Sequence, residues 1–350
     1  MTRAFIAVIL AISLGAVGDQ HPCPQPTWVM DLVLKYRFQD FGQKRVPANQ
    51  PTLPLTNQQG IEFISPEVLA VYRVSEVDDP QPVGPKDASG GSGRYQLHVS
   101  FLDVKQESEL KSFQFVTSGW LESRVFATHD GKFLIRTGET IRSFSAGFDQ
   151  LAMTHFPYSN RQQYEVNVSF SGERIYVRYY TAFESSNLVL DADSLHIIHT
   201  VQDLPRVDES PGQKVPGFNF VPKDLSCRFG STRITPDVSV GFGCKELKVL
   251  SFKGQLLWDI PMDGQVASVR ASGALVAALI EGRHVNFAHP DIGPEPFRIE
   301  VYDVNAKSEK CSIALNSKLV SGHWPPILYA VSATGEVAVI RGNVLSVYRP

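Results

Sequence analysis

Leu102-Asp103-Val104-Lys105-Gln106-Glu107-Ser108-Glu109 is echoed two hundred residues downstream by Tyr302-Asp303-Val304-Asn305-Ala306-Lys307-Ser308-Glu309. In both copies an apolar alternating run precedes the Asp and another follows, the pattern of strand, turn and strand. Taken alone, the charged stretch 104–111 would suit a helix. Its twin, however, leads into Cys311-Ser312-Ile313-Ala314-Leu315, which alternates, so both stretches read as hairpin turns. Self-similarity at a distance limits the chain to architectures that stack one supersecondary unit many times. Asp103 and Asp303, with Asp191 at a similar strand end, recur along with the turn. They are therefore expected to cap it by accepting backbone N–H groups, not to catalyse.

From residue 61 onward, short runs of β-branched and aromatic residues alternate with Gly, Asp, Asn and Ser, and amphipathic helical periodicity is nearly absent. The spacing groups these runs into units of four strands. The first takes 61–64, 68–74, 95–102 and 110–116; the second takes 124–128, 132–136, 140–145 and 150–155, with the hairpin signal Asp130-Gly131. The third takes 164–170, 174–180, 187–190 and 195–200. The fourth, the least regular, takes 225–229, 238–242, 247–251 and 255–259, and the fifth takes 266–271, 274–280, 297–302 and 311–315. Excursions rich in Pro, Gly and Ser at 75–93, 205–222 and 281–296 read as surface loops.

The sixth unit offers only 327–331, 336–340 and 344–348 before the chain stops. Its landmarks Gly335, Gly342 and Tyr348 repeat the spacing of Gly131, Gly138 and Phe144 in the second unit, so it lacks only its outermost strand. Residues 31–38 alternate like a strand and belong to no other unit. Pairing them into the last unit would close a ring and cover an exposed sheet edge. The predicted fold is all-β: a β-propeller of six four-stranded blades, the last closed by an N-terminal strand, or seven blades if the irregular fourth unit hides two. Over residues 61–350 the pattern resembles the WD40-like and quinoprotein-like propeller superfamilies. The resemblance is architectural: the recurrent Gly-His and Trp-Asp landmarks of WD40 repeats are missing, and Trp258-Asp259 stands once.

Ahead of the ring, residues 1–18 have the parts of a signal peptide: Arg3, an apolar run over 4–17, and small Ala16 and Gly18 before Asp19. That run is shorter than the roughly 20 residues needed to span a bilayer. The expected organisation is thus a signal peptide over 1–18, a segment over 19–60 with the ring-closing strand, and the propeller over 61–350, in a secreted or periplasmic protein with no membrane span. Export favours disulfides among the four cysteines. Cys227 and Cys244 flank a turn-rich segment, and pairing them would leave Cys23 and Cys311 near the two ends, where a bridge would suit ring closure.

With 33 Lys and Arg against 36 Asp and Glu, a net charge of −3 and no long run of one sign, the chain lacks the basic footprint of a nucleic-acid binder. His196 and His199 lie three apart on an expected strand and so face opposite sides, unsuited to sharing an ion. His284 and His289, near Asp291, sit in a loop with no ligand spacing. No G-x-S-x-G elbow occurs, and Ser92 lies in a Gly-rich loop where nothing would orient a nucleophile. Neither a cofactor nor a metal is implied, and no catalytic residue is assigned. Asn167-Val168-Ser169 matches the N-glycosylation pattern. The expectation is a non-catalytic exported propeller that binds a protein or polysaccharide through loops on one face, with Phe218, Phe220, His284, Phe287, His289 and Trp324 as contacts. The alternative is a glycan-acting hydrolase or lyase with carboxylates near the ring axis.

Overall fold

The computed structural model describes residues 22–23, 25–32, 59–76, 95–117, 123–156, 163–180, 185–201, 229–251, 253–281, 297–315, 327–341 and 343–349. They form six antiparallel sheets of four strands each. The first strand among the described residues is β1 (Trp28–Asp31), which joins the last sheet. The first blade is β2 (Gln59–Phe63), β3 (Val68–Glu76), β4 (Tyr95–Asp103) and β5 (Ser108–Thr117). The second is β6 (Ser123–Ala127), β7 (Phe133–Thr137), β8 (Thr140–Phe144) and β9 (Gln150–His155), and the third β10 (Gln163–Val168), β11 (Arg174–Tyr180), β12 (Ser185–Asp191) and β13 (Ile197–Val201). The fourth is β14 (Phe229–Thr235), β15 (Val238–Gly243), β16 (Glu246–Ser251) and β17 (Leu256–Pro261). The fifth is β18 (Gln265–Ser272), β19 (Leu275–Glu281), β20 (Arg298–Asp303) and β21 (Ser308–Ala314). The sixth is β22 (Ile327–Val331), β23 (Val337–Arg341) and β24 (Val344–Tyr348), with β1 as its outer strand. This is the six-bladed propeller that the repeat predicts. The irregular fourth unit makes one blade, not two.

Burial follows position in the blade. Strand β7 is buried at every position, whereas β9, at the rim, alternates between exposed and half-buried residues. Among the described residues, apolar clusters fill five of the six seams between neighbouring blades. Leu69, Leu102 and Val104 of the first blade join Ala338, Ile340 and Val347 of the sixth in one cluster. Phe101 packs on Phe133 across the first and second blades, with ring centroids 4.5 Å apart. Leu134 and Ile175 share a cluster between the second and third blades, as Val249 and Val276 do between the fourth and fifth, and Val301 and Val339 between the fifth and sixth. Between the third and fourth blades, the Arg233 guanidinium lies over the Phe170 ring at 5.6 Å.

The recurring Asp residues make the turns. Asp103 Oδ1 accepts the N–H groups of Lys105 and Gln106 at 2.8 Å each, and Asp303 Oδ1 accepts those of Asn305 and Ala306 at 3.0 and 2.9 Å. Asp191 Oδ1 does the same with Asp193 and Ser194 at 3.2 and 2.7 Å. Four residues beyond each Asp the backbone turns left-handed, at Glu107 (φ 58°), Lys307 (φ 50°) and Leu195 (φ 57°). Asp130 and Gly131 likewise take positive φ in the turn before β7, as their dipeptide predicts.

Two strands differ from the sequence reading. In the fourth blade the first strand is Phe229–Thr235, not 225–229. Gly230, Ser231 and Thr232, which look like turn residues, stand on an inner strand, where a Cβ on Gly230 would come within 2.9 Å of the Phe242 ring. The ring-closing strand is Trp28–Asp31, ahead of the expected 31–38. Its own alternation fixes the register: Trp28, Met30 and Leu32 are buried and Val29 is exposed, with Trp28 opposite Val347 and Asp31 opposite Val344. The Thr27 N–H donates to the Val347 carbonyl at 2.8 Å and the Leu32 N–H to the Asn343 carbonyl at 2.9 Å. Upstream, the Cys23 N–H donates to the Ser312 carbonyl at 2.9 Å, and Cys23 is disulfide-bonded to Cys311 on β21. The N-terminal segment therefore completes the sixth blade and staples it to the fifth. Cys244 is also disulfide-bonded. Cys227, its expected partner, lies outside the described residues. No helix among the described residues is long and apolar enough to cross a membrane.

Candidate functional site, the axial channel

The first strand of every blade faces the ring axis, and together these six strands enclose a cavity of about 390 Å³. Alternation along them decides which side chains reach it. Glu62 sits between buried Ile61 and Phe63 on β2, Arg124 between buried Ser123 and Val125 on β6, and Asn167 between buried Val166 and Val168 on β10. Thr232 and Arg233 come from β14, Arg270 from β18 and Tyr329 from β22. Side chains from every blade thus meet at one place although their sequence positions span 62 to 329.

Among the described residues that line the channel are three guanidiniums, of Arg124, Arg233 and Arg270, and one carboxylate, of Glu62. Burial pushes the Glu62 carboxyl above the usual carboxylate range, against the opposing pull of Arg124 and then Arg270. The cations differ in attachment. Arg233 is 5 % exposed, and its guanidinium donates to the carbonyls of Thr235, at 3.3 Å, and Pro236 while stacking on Phe170, so it is part of the wall. Arg124 lies over the Phe126 ring at 4.8 Å, half-buried, and Arg270 is exposed to the solvent of the channel. Tyr329 shares a hydrogen bond of 2.9 Å with the Ser268 hydroxyl, and burial holds its phenol up at about 12 despite the nearby Arg270. At neutral pH that phenol is a hydrogen-bond donor, not a base.

Phe218, Phe220, His284, Phe287, His289 and Trp324 all lie outside the described residues, as do most of the excursions 75–93, 205–222 and 281–296. His196 and His199 are exposed at the rim of the third blade, and no group of three His, Cys, Asp or Glu side chains able to hold a metal occurs among the described residues. Asn167 is on the channel wall, an enclosed position unlike the surface loop that a glycan requires. Trp258 is a packing residue on β17, edge-on to Tyr302 at 5.9 Å. The sequence reading missed the channel residues. A charged residue on the first strand of a unit, as at Glu62, Arg124 and Arg270, was visible in the sequence, but nothing local marks it as facing the axis.

The class defined by these observations is a six-bladed propeller with a polar, cation-rich axial channel. No protein-family model and no curated protein matches the chain. Among solved structures it is similar to Raptor of Chaetomium thermophilum, at 9% identity and a TM-score of 0.47 over 94% of this chain and 29% of that one, so it spans under a third of Raptor's length. It is similar to BamB of Moraxella catarrhalis at 9% identity and 0.37, over 83% and 82% of the two chains, and to the WD40 domain of Pan2 from Neurospora crassa at 11% and 0.35, over 83% and 88%.

Proposed function

We propose that the chain is an exported, non-catalytic binding propeller, secreted or periplasmic, that holds a protein or polysaccharide partner on the face where its channel opens. The observation that carries this reading is the channel lining: polar side chains converge from six blades, and among the described lining residues one, Glu62, is a carboxylate. Glycoside hydrolysis ordinarily needs two, roughly 5–9.5 Å apart. The disulfide between Cys23 and Cys311 and the signal-like start support an oxidising compartment. The test is direct. The mature chain, captured with residues 1–18 removed by its own export machinery, is immobilised and presented with a glycan array and with the exported protein fraction. Saturable capture of one glycan class or one protein, with that ligand recovered unchanged, is expected. Turnover of a captured glycan that Glu62→Gln abolishes would replace this reading with the hydrolase or lyase.

A further inference from the structure

We infer that the Cys23–Cys311 disulfide is a redox latch on the ring, whatever partner the propeller binds: its reduction by a dithiol frees strand β1, and the slot left in the sixth blade takes the same strand from a second copy of this chain. The topology singles out β1. Five of the six sheets are built of four strands in chain order, whereas the sixth combines β22, β23 and β24 with a strand from the other end of the chain. Within that sheet β1 pairs with β24 alone, over Trp28–Asp31. It can therefore leave without separating any two strands that are neighbours in sequence. Residues 32–58 join it to β2, and at up to about 3.3 Å per residue a stretch of that length reaches a neighbouring molecule.

The slot fits one occupant by construction. Trp28, Met30 and Leu32 are buried among Leu69 and Leu102 of the first blade and Ile340, Leu345 and Val347 of the sixth. Emptying it uncovers that apolar surface together with the edge of β24, and an open strand edge is a template for another chain. The β1 of a second copy presents the same alternation in the same register, so two chains that exchange strands each complete a six-bladed ring and close on one another as a dimer. In the bridged chain this exchange is shut off. There β1 is anchored on both sides, to Cys311 through Cys23 and to β2 through residues 32–58, which holds its concentration at the slot far above that of a second copy.

The bridge is also placed to be cut. Cys311 is 2 % exposed, whereas Cys23 is half-buried, so an attacking thiolate reaches the Cys23 sulfur. Attack forms a mixed disulfide with Cys23 and expels Cys311 as a thiolate, which takes up a proton. The second thiol of the reductant then displaces Cys23, which leaves as a thiol, and the reductant departs as its own disulfide, having given up two electrons and two protons.

Cys244 is disulfide-bonded as well, so a variant with Cys23→Ser and Cys311→Ser isolates the latch from the other effects of a reductant. Analytical ultracentrifugation at up to about 100 μM should show the bridged chain as a monomer, and the double-serine chain or the chain treated with dithiothreitol as a dimer favoured about tenfold or more. A second measurement reads the exchange itself. Double-serine chains carrying Val29→Cys are mixed with double-serine chains carrying Ser346→Cys, positions that face each other across β1 and β24. Mild oxidation should link position 29 of one chain to position 346 of the other, and the same pair of substitutions in chains that keep the Cys23–Cys311 bridge should give no such link. A double-serine chain that stays monomeric while circular dichroism shows an intact fold overturns the latch, as does a dimer without the 29–346 link. Loss of the β-sheet signal once the bridge is removed would make the disulfide a plain staple and overturn it equally.

Discussion

Glu62 stands under opposed influences. Burial at the centre of the ring disfavours its charge, Arg124 and Arg270 favour it, and burial wins, so its carboxyl titrates above the ordinary range. The sign of the stability effect follows. A carboxyl whose folded pKa exceeds its unfolded value imposes no penalty below the unfolded pKa and its full penalty above the folded one. Wild type should therefore lose stability relative to Glu62→Gln as pH rises from about 4, through the raised pKa, toward neutrality. Urea denaturation of both chains across that range measures it. Curves that stay parallel would show that the arginines fully cancel the burial cost.

Hairpins are where the sequence spoke most clearly, because a tight turn is written in a few adjacent residues. In the turn from β4 to β5, Asp103 accepts two backbone N–H groups that β pairing leaves over, and Glu107 takes the left-handed conformation that closes the turn. Asp103→Ala should cost about 1–3 kcal/mol, since it strands those donors. Glu107→Gly should return about 1 kcal/mol by relieving the left-handed strain. Both are read by urea unfolding, and a destabilising Glu107→Gly would show that the lost side-chain order outweighs the strain. At Asp303, backbone bonding from Ala306 leads the causes that lower the carboxyl. Its contribution is present above the unfolded pKa and lost as pH falls through the depressed one. Local chemistry of this kind made six blades and most strand bounds legible. It failed at Gly230-Ser231-Thr232, where small residues mean close approach to Phe242 in a blade and not a turn. It also failed for the channel, because no local pattern brings Glu62, Arg124 and Arg270 together: only the ring does.

At the scale of the whole molecule, a propeller is held by its closure, and here two devices act on the same seam. Strand β1 buries Trp28, Met30 and Leu32 against β24 and the first blade, and the Cys23–Cys311 disulfide ties the residues just ahead of it to the fifth blade. With a sequence separation of 288 between the two cysteines, the crosslink restricts the unfolded chain over most of its length, the regime in which loop-closure entropy is largest. Cys23→Ser with Cys311→Ser should cost about 2–5 kcal/mol in global unfolding. The two devices should also be coupled. In the bridged chain β1 is tethered ahead of its first residue, so Met30→Ala, a buried truncation, should cost its full amount of about 2–5 kcal/mol. In the double-serine chain β1 is free to detach from β24 while the other five blades persist, so the same truncation costs less. Hydrogen exchange locates the difference. Amides of β24 should exchange much faster in the double-serine chain and those of β7 should not. Equal acceleration in both strands would mean that the bridge stabilises the ring as a whole and that the sixth blade has no separate opening.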